Sequence, residues 1–102
     1  MPIIKRETRV TLEEHERIEV YWNQNHRFKK RAVEAIVRAG NQAGDGDYEV
    51  SSENCIRRVV IEVDEAEDQL VDRVRTTIPA PQNTYDTAYR VVLRLGMKSL
   101  GI

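Results

Sequence analysis

The chain has 102 residues, and its 16 Lys and Arg nearly balance its 17 Asp and Glu, so the formal net charge is −1. A hydrophobic fraction of 40% and a charged fraction of 32% are typical of a soluble globular domain and exclude a disordered composition. No apolar run approaches the roughly 18 residues of a membrane span, and a single cysteine excludes an internal disulfide framework. We therefore expect one cytoplasmic domain without a signal peptide or a membrane-spanning segment.

The charges are distributed unevenly along the chain. Residues 1–42 hold nine Lys and Arg against six Asp and Glu, and residues 69–102 hold five against two. Residues 43–68 hold two against nine. Because local patches can attract a partner that the net charge does not, the near-neutral total is compatible with a basic face that binds nucleic acid.

The first 40 residues predict a strand followed by two helices. From Glu7 to Leu12 the residues alternate as in a half-buried strand, with Val10 and Leu12 on the inner side. Two glutamates then open an amphipathic helix, since negative charge is favourable in a first helical turn. After a polar turn in which Asn25 is the predicted N-cap, a second amphipathic helix runs to Gly40, its predicted end.

A connector and a second copy of the same elements follow. The connector, residues 41–54, holds two of the five glycines and has no helical periodicity. Residues 55–100 then predict a strand over Val59–Val63, a helix ended by two prolines, and a last helix capped by Asn83 or Thr84.

The two copies align with each other and define the predicted architecture. Aligned on the strands, residues 10–13 match 61–64 at an offset of 51; aligned on the helix ends, residues 38–40 match 94–96 at an offset of 56. A lone strand has no ladder partner in its own unit, so the two strands are expected to pair antiparallel. The predicted fold class is α+β, mostly helical, with a two-stranded antiparallel ribbon on four helices.

This arrangement resembles the ribbon-helix-helix (Arc/MetJ-like) superfamily. The resemblance rests on RETRVTLEEHERI, residues 6–18, and RFKKRAVEAIVRAG, residues 27–40. Members usually build the ribbon from two identical chains, whereas here units 5–40 and 55–100 would form a pseudo-dimer within one domain, 1–102. The tandem form is similar to a family of Agrobacterium virulence proteins that assist T-DNA transfer.

The resemblance implies a function in DNA transfer. A protein of this kind would bind double-stranded DNA sequence-specifically, as a monomer that acts as a pseudo-dimer and needs no cofactor. It would be an accessory factor in T-DNA border processing and conjugation-like transfer, with a relaxase or other transfer-complex proteins as further partners. Two alternatives stay open: a ribbon-helix-helix transcriptional repressor, and a protein-interaction module with weak DNA binding.

The predicted base-reading residues lie on the outer face of the ribbon, which fits the major groove, about 12 Å wide in B-DNA. Arg9 and Arg58 can each donate two hydrogen bonds to guanine, and Thr11 or Val60 can contact a thymine methyl. An ordinary solvated sheet face is the alternative interpretation. Because the two strands differ, an asymmetric DNA site is expected. The predicted set is Glu7, Arg9, Thr11, Arg58, Val60 and Glu62.

Phosphate contacts are predicted at the start of the second helix of each unit, because free backbone N–H groups at a helix N-terminus favour an anion. A run of basic residues adjoins the start of this helix in the first unit but not in the second unit. The two units are therefore expected to bind the DNA backbone unequally. The alternative interpretation of the run is a solvated helix face. The predicted contacts are Lys5, Arg6, His26, Arg27, Lys29, Lys30, Arg31, Asn83, Thr84 and Tyr85.

The sequence gives little support for other chemistry, and we predict a non-enzyme without a metal site. His15, His26 and Cys55 do not have the spacing of metal ligands. The stretch Gly44-Asp45-Gly46 lacks the lysine and the helix of a phosphate-binding loop. Trp22 and the tyrosines are predicted to lie in the core or at its rim.

Overall fold

The fold consists of a two-stranded sheet and four helices. The computed structural model describes residues 3–43 and 49–102, and within these ranges it is α+β and 61% helical. No helix in the described ranges is long and apolar enough to cross a membrane. The predicted loop 44–46 lies outside the described residues. The elements are β1 (Ile3–Thr11), α1 (Leu12–Asn25), α2 (Lys29–Ala43), β2 (Cys55–Asp64), α3 (Glu65–Thr77) and α4 (Tyr85–Leu100).

The strands β1 and β2 pair antiparallel, so both halves of the chain contribute to one ribbon. This confirms the predicted pairing of the two strands. The register is regular up to an irregularity between Val10 and Thr11. Around its middle the ribbon pairs Lys5 with Glu62, Glu7 with Val60, and Arg9 with Arg58.

The first strand starts earlier and ends earlier than predicted. It begins at Ile3 and stops at Thr11, which is the N-cap of α1. The Thr11 hydroxyl accepts a hydrogen bond from the Glu14 backbone N–H at 3.1 Å, and the Glu14 carboxylate accepts one from the Thr11 N–H at 2.9 Å. This capping box fixes the turn from strand to helix. Leu12, predicted on the inner face of the strand, is therefore helical and 45% exposed.

The helices α2 and α4 cross in close contact at two glycines. Gly40, predicted to end the second helix, instead lies inside α2, which continues to Ala43. A Cβ atom on Gly40 would overlap the carbonyl oxygen of Val92, and one on Gly96 would overlap the carbonyl oxygen of Ile36. These two contacts are related by the offset of 56 residues that aligns the copies. The missing side chains allow the two backbones to touch.

Two ion pairs join the copies in a reciprocal way. In each copy the third residue of the helix after the strand is a glutamate, Glu14 in α1 and Glu67 in α3. Arg94 Nε lies 2.7 Å from Glu14 Oε2, and Arg38 Nε lies 3.7 Å from Glu67 Oε1. Each pair therefore joins the last helix of one copy to the first helix of the other.

The core lies between the inner face of the ribbon and the crossing helices. Val10 of β1 is fully buried, and the alternating residues Val59, Ile61 and Val63 of β2 are buried as well. Helical spacing would also place Val20 of α1 and Phe28, which precedes α2, in the core, but these residues are 53% and 55% exposed. The core also includes Ile18, Val33, Ile36, Val37, Val59, Ile61, Val63, Val71, Tyr89, Val92 and Leu93.

Side-chain caps set the starts of α3 and α4. The Asp64 carboxylate accepts a hydrogen bond from the Glu67 N–H at 2.9 Å, and the Thr84 hydroxyl accepts one from the Thr87 N–H at 3.2 Å. Of the two predicted caps for the last helix, Asn83 and Thr84, the structure has Thr84. The predicted cap at Asn25 is wrong, because Asn25 is the last residue of α1.

Candidate nucleic-acid interface

The outer face of the ribbon is exposed along its length, opposite the core. Each strand contributes every second side chain to this face, as the pleat of a strand requires. Five of the six central side chains belong to exposed residues, and the sixth, Glu62, is half-buried. These six are Lys5, Glu7, Arg9, Arg58, Val60 and Glu62.

Two arginines stand directly opposite each other on this face. Arg9 and Arg58 are register partners, and like charges at such positions destabilise a sheet. Glu7 offsets part of this repulsion, since its Oε1 lies 3.0 Å from Arg58 Nε. An exposed pair of this kind contributes little stability, so the guanidinium groups can exchange partners.

On β1 the outer-face residues are shifted by two positions relative to the prediction, whereas on β2 they are the predicted Arg58, Val60 and Glu62. Lys5, expected ahead of the ribbon as a phosphate contact, lies within the outer face, and its Nζ is 3.6 Å from Glu62 Oε1. Thr11, expected to contact bases, lies at the end of the strand, where its hydroxyl caps α1. The β-branched pair Ile3 and Ile4 was the signal that could have located the strand start.

The start of α2 adjoins the β2 side of the ribbon and is basic. Lys29 and Lys30 line an open cleft together with Arg58, Val60 and Glu62. There is no acidic residue in the first turn of α2. The positive end of the helix dipole and the charges of the two lysines therefore both favour an anion on this flank.

The other predicted phosphate contacts near α2 have different surroundings. His26 is half-buried and forms the C-cap of α1. Arg27 is exposed, and its guanidinium lies 5.5 Å from the centroid of the Phe28 ring. Arg31 Nη1 lies 3.4 Å from Glu34 Oε1. Arg27 is therefore exposed just before the start of α2, whereas Arg31 is paired with a carboxylate of the same helix.

The start of α4 adjoins the β1 side of the ribbon and carries a carboxylate. A cleft on this side is lined by Glu7, Thr8, Arg9 and Asp86. Asp86 lies in the first turn of α4, and its Oδ1 is 2.6 Å from the hydroxyl of the buried Thr8. The two flanks of the ribbon therefore differ in charge.

The residues predicted to contact phosphate at this second start have protein partners. The backbone carbonyl of Asn83 accepts a hydrogen bond from Arg75 Nη1 at 3.3 Å, and Thr84 caps the helix. The ring of Tyr85 is covered by the guanidinium of Arg6, 3.8 Å from the ring centroid. Of the three, Tyr85 serves mainly to pack the ribbon against α4.

Arg6, also predicted to contact phosphate, lies on the inner side of β1. Its Nε and Nη2 donate to the two carboxylate oxygens of Asp68 at 3.0 and 2.9 Å. Burial by itself would raise the pKa of Asp68, but the hydrogen bonds from Arg6 and from the Tyr89 hydroxyl outweigh it and lower that pKa. Burial and the bond to Asp68 raise the pKa of Tyr89. This placement leaves Arg6 out of the exposed face.

Comparison with known proteins does not assign this site to a class. No family model, no curated protein and no solved structure matches the chain significantly. Within residues 3–43 and 49–102, no three His, Cys, Asp or Glu side chains come together as a possible metal site. The candidate site is therefore defined by its own geometry, an exposed charged ribbon between two helix starts.

Proposed function

We propose that this protein binds double-stranded DNA by inserting the outer face of its ribbon into the major groove, as a single-chain ribbon-helix-helix pseudo-dimer. The observation that carries the proposal is the exposed antiparallel ribbon, built from both halves of the chain, with a helix start on each side. A two-stranded ribbon fits the major groove, and helix N-termini favour phosphate. The two features adjoin each other, because each flanking cleft is lined by ribbon residues and by residues at a helix start.

The reciprocal contacts between the copies support the pseudo-dimer. Gly40 and Gly96 occupy equivalent positions at the helix crossing, and the pairs Glu14–Arg94 and Glu67–Arg38 repeat across the molecule. Such paired contacts are what a two-fold assembly of identical units would have. In a single chain the same assembly can carry different side chains in its two strands.

The side chains of the outer face suit base recognition. Arg9 and Arg58 can each donate two hydrogen bonds to guanine O6 and N7, worth about 1–3 kcal/mol of discrimination each. Lys5 can donate to the same acceptors, Val60 can contact a thymine methyl, and Glu62 can accept from cytosine N4. Lys29 and Lys30 would bind phosphate beside the groove and supply salt-dependent affinity.

A mobility-shift assay on duplex DNA selected from a random pool tests this proposal. The variants Arg9→Ala and Arg58→Ala are compared with wild type and with Arg17→Ala, which removes an exposed arginine from α1 beside Ile102. We expect wild type and Arg17→Ala to bind alike, and the two ribbon variants to bind about 5- to 150-fold more weakly. Equal binding by all four proteins, or binding by none, would exclude the ribbon as the DNA-contacting face and favour a protein-interaction module.

A narrower role rests on the sequence resemblance alone. The chain resembles the second protein of the Agrobacterium virC operon, and we propose that it likewise assists T-DNA border processing by a relaxase complex. Its site would then lie near a border sequence. Binding to border-containing duplexes at least tenfold tighter than to shuffled duplexes of the same composition would support this role. Equal binding to both would point to a repressor or to another DNA site.

A further inference from the structure

The two helix starts beside the ribbon carry opposite charges at equivalent positions. The offset of 56 residues that relates Gly40 to Gly96 also relates Lys30 of α2 to Asp86 of α4. The charges are also reversed four residues further along each helix, where Glu34 of α2 corresponds to Arg90 of α4. The second copy thus presents an anion where the first presents a cation.

The Asp86 carboxylate is held in place by buried groups. The hydroxyl of Thr8, which is 1% exposed, lies 2.6 Å from Asp86 Oδ1 and 2.7 Å from its backbone oxygen. Arg90 is 3% exposed, and its Nη2 donates to Asp86 Oδ2 at 3.1 Å. Movement of the carboxylate would leave these buried donors without this partner, which is unfavourable.

The fixed carboxylate nevertheless faces solvent where a DNA backbone would pass. The Asp86 side chain is 53% exposed, and it lines the cleft beside Arg9 and the acidic Glu7. A carboxylate in the first helical turn offsets the positive helix dipole that would otherwise attract phosphate. On the α2 flank the corresponding cleft is lined by Lys29 and Lys30 instead.

We infer that Asp86 is a repulsive determinant that confines strong phosphate binding to the α2 flank of the ribbon. This inference rests on the proposed function, and it extends that function from an asymmetric base sequence to a one-sided backbone contact. The protein would then bind its DNA in a single orientation, because only one flank can approach the phosphates closely. Orientation would be specified by charge as well as by base contacts.

Salt-dependent binding of Asp86→Asn tests the inference. The matched control is Glu16→Gln, which removes one negative charge from α1 outside both clefts that flank the ribbon. Fluorescence anisotropy on a selected duplex, titrated from low to moderate salt, gives the affinity and the slope of log K against log salt. We expect Asp86→Asn to bind roughly three- to tenfold tighter than Glu16→Gln, with a slope steeper by about 0.9, the value for one added phosphate contact.

Hydroxyl-radical footprinting of the same complexes locates the added contact. Wild type and Glu16→Gln should protect the sugar-phosphate backbone on one flank of the recognised bases, and Asp86→Asn should add protection on the other. Asp86→Ser should behave like Asp86→Asn, which guards against an effect of misfolding in one variant. Equal affinity, slope and footprint for the Asp86 variants and Glu16→Gln would overturn the inference alone. No duplex binding by any protein would overturn the proposed function together with the inference.

Discussion

Gly40 and Gly96 pack against each other's helices in the same way. A Cβ atom on Gly40 would lie 2.8 Å from Cγ1 of Val92, and one on Gly96 would lie 2.9 Å from Cγ2 of Ile36. Both distances are shorter than the contacts that real methyl groups make. The crossing of α2 and α4 therefore requires glycine at both positions, and it brings the two copies together below the ribbon.

Replacing either glycine with alanine should destabilise the protein. Alanine favours an isolated helix by about 1 kcal/mol, but here the added methyl group would collide with backbone, and such overpacking costs about 1–3 kcal/mol or more. We expect Gly40→Ala and Gly96→Ala each to lower the free energy of unfolding by at least 1 kcal/mol in urea denaturation. The control Ser99→Ala, on the exposed side of α4, should change it by less than about 0.5 kcal/mol. Stabilisation by either glycine variant would contradict the close crossing.

The two equivalent ion pairs should differ in their contribution to stability. The side chains of Arg94 and Glu14 are each 14% exposed, whereas Arg38 is 50% exposed. Breaking a largely buried pair leaves a charge without its partner, so Arg94→Met should lower the free energy of unfolding by about 2–4 kcal/mol. Arg38→Met should lower it by less than about 1 kcal/mol. Urea denaturation at pH 7 distinguishes the two, and equal losses would show that burial does not govern these pairs.

Acid should destabilise the fold in part through Asp68. Burial would raise the pKa of this carboxyl, but its bonds to Arg6 and Tyr89 hold the pKa below the ordinary value of 3.8. A group with a lowered folded-state pKa stabilises the protein above its unfolded pKa and loses that contribution as the pH falls towards the folded pKa. The free energy of unfolding should therefore fall between about pH 5 and pH 3.

The variant Asp68→Asn separates this contribution from those of other acids. It should be less stable than wild type by roughly 1.5–3 kcal/mol at pH 7, and the difference should shrink as the pH is lowered. Asp72→Asn, on the same helix but more exposed, should retain most of the wild-type pH dependence. A difference between Asp68→Asn and wild type that stays constant down to pH 3 would argue against the ionised Arg6–Asp68 pair.

Local patterns predicted much of the fold. Three features depend on near neighbours in sequence and could therefore be derived without a structure: the alternation along Val59–Val63, the cap at Thr84 and the order of the helices. The role of Gly40 could not be derived from the sequence, because a glycine that ends a helix and a glycine that permits a helix crossing have similar local sequence patterns. Leu12 was misplaced because the strand was extended one residue past Thr11, which is both the last residue of β1 and the N-cap of α1.

Long-range partners determine which candidate residues reach the site. The partner of Arg6 is Asp68, 62 residues away, and no local pattern linked the two. Asp86 was missed although a signal existed, since aligning the copies at the helix offset places it on Lys30. The outward position of Arg9 and Arg58 was predictable, because alternation alone assigns their side of the strand.

The DNA site should be asymmetric. On β1 the exposed residues are Lys5, Glu7 and Arg9, whereas on β2 they are Arg58 and Val60 with the half-buried Glu62. Different side chains on the two strands present different donors and acceptors to the base edges. Selection of bound duplexes from a random pool should therefore yield a non-palindromic consensus. A palindromic consensus would mean that two protein molecules, rather than two halves of one, contact the site.

The most direct test of groove insertion is the replacement of single guanines in a selected duplex by 7-deazaguanine. This change removes the N7 acceptor in the major groove while leaving base pairing intact. At the guanine contacted by Arg9, wild-type affinity should fall roughly tenfold, and Arg9→Ala should lose nothing further; Arg58→Ala should behave in the same way at its own guanine. Equal losses for wild type and both variants at every guanine, or no loss for wild type at any, would contradict insertion of the ribbon into the major groove.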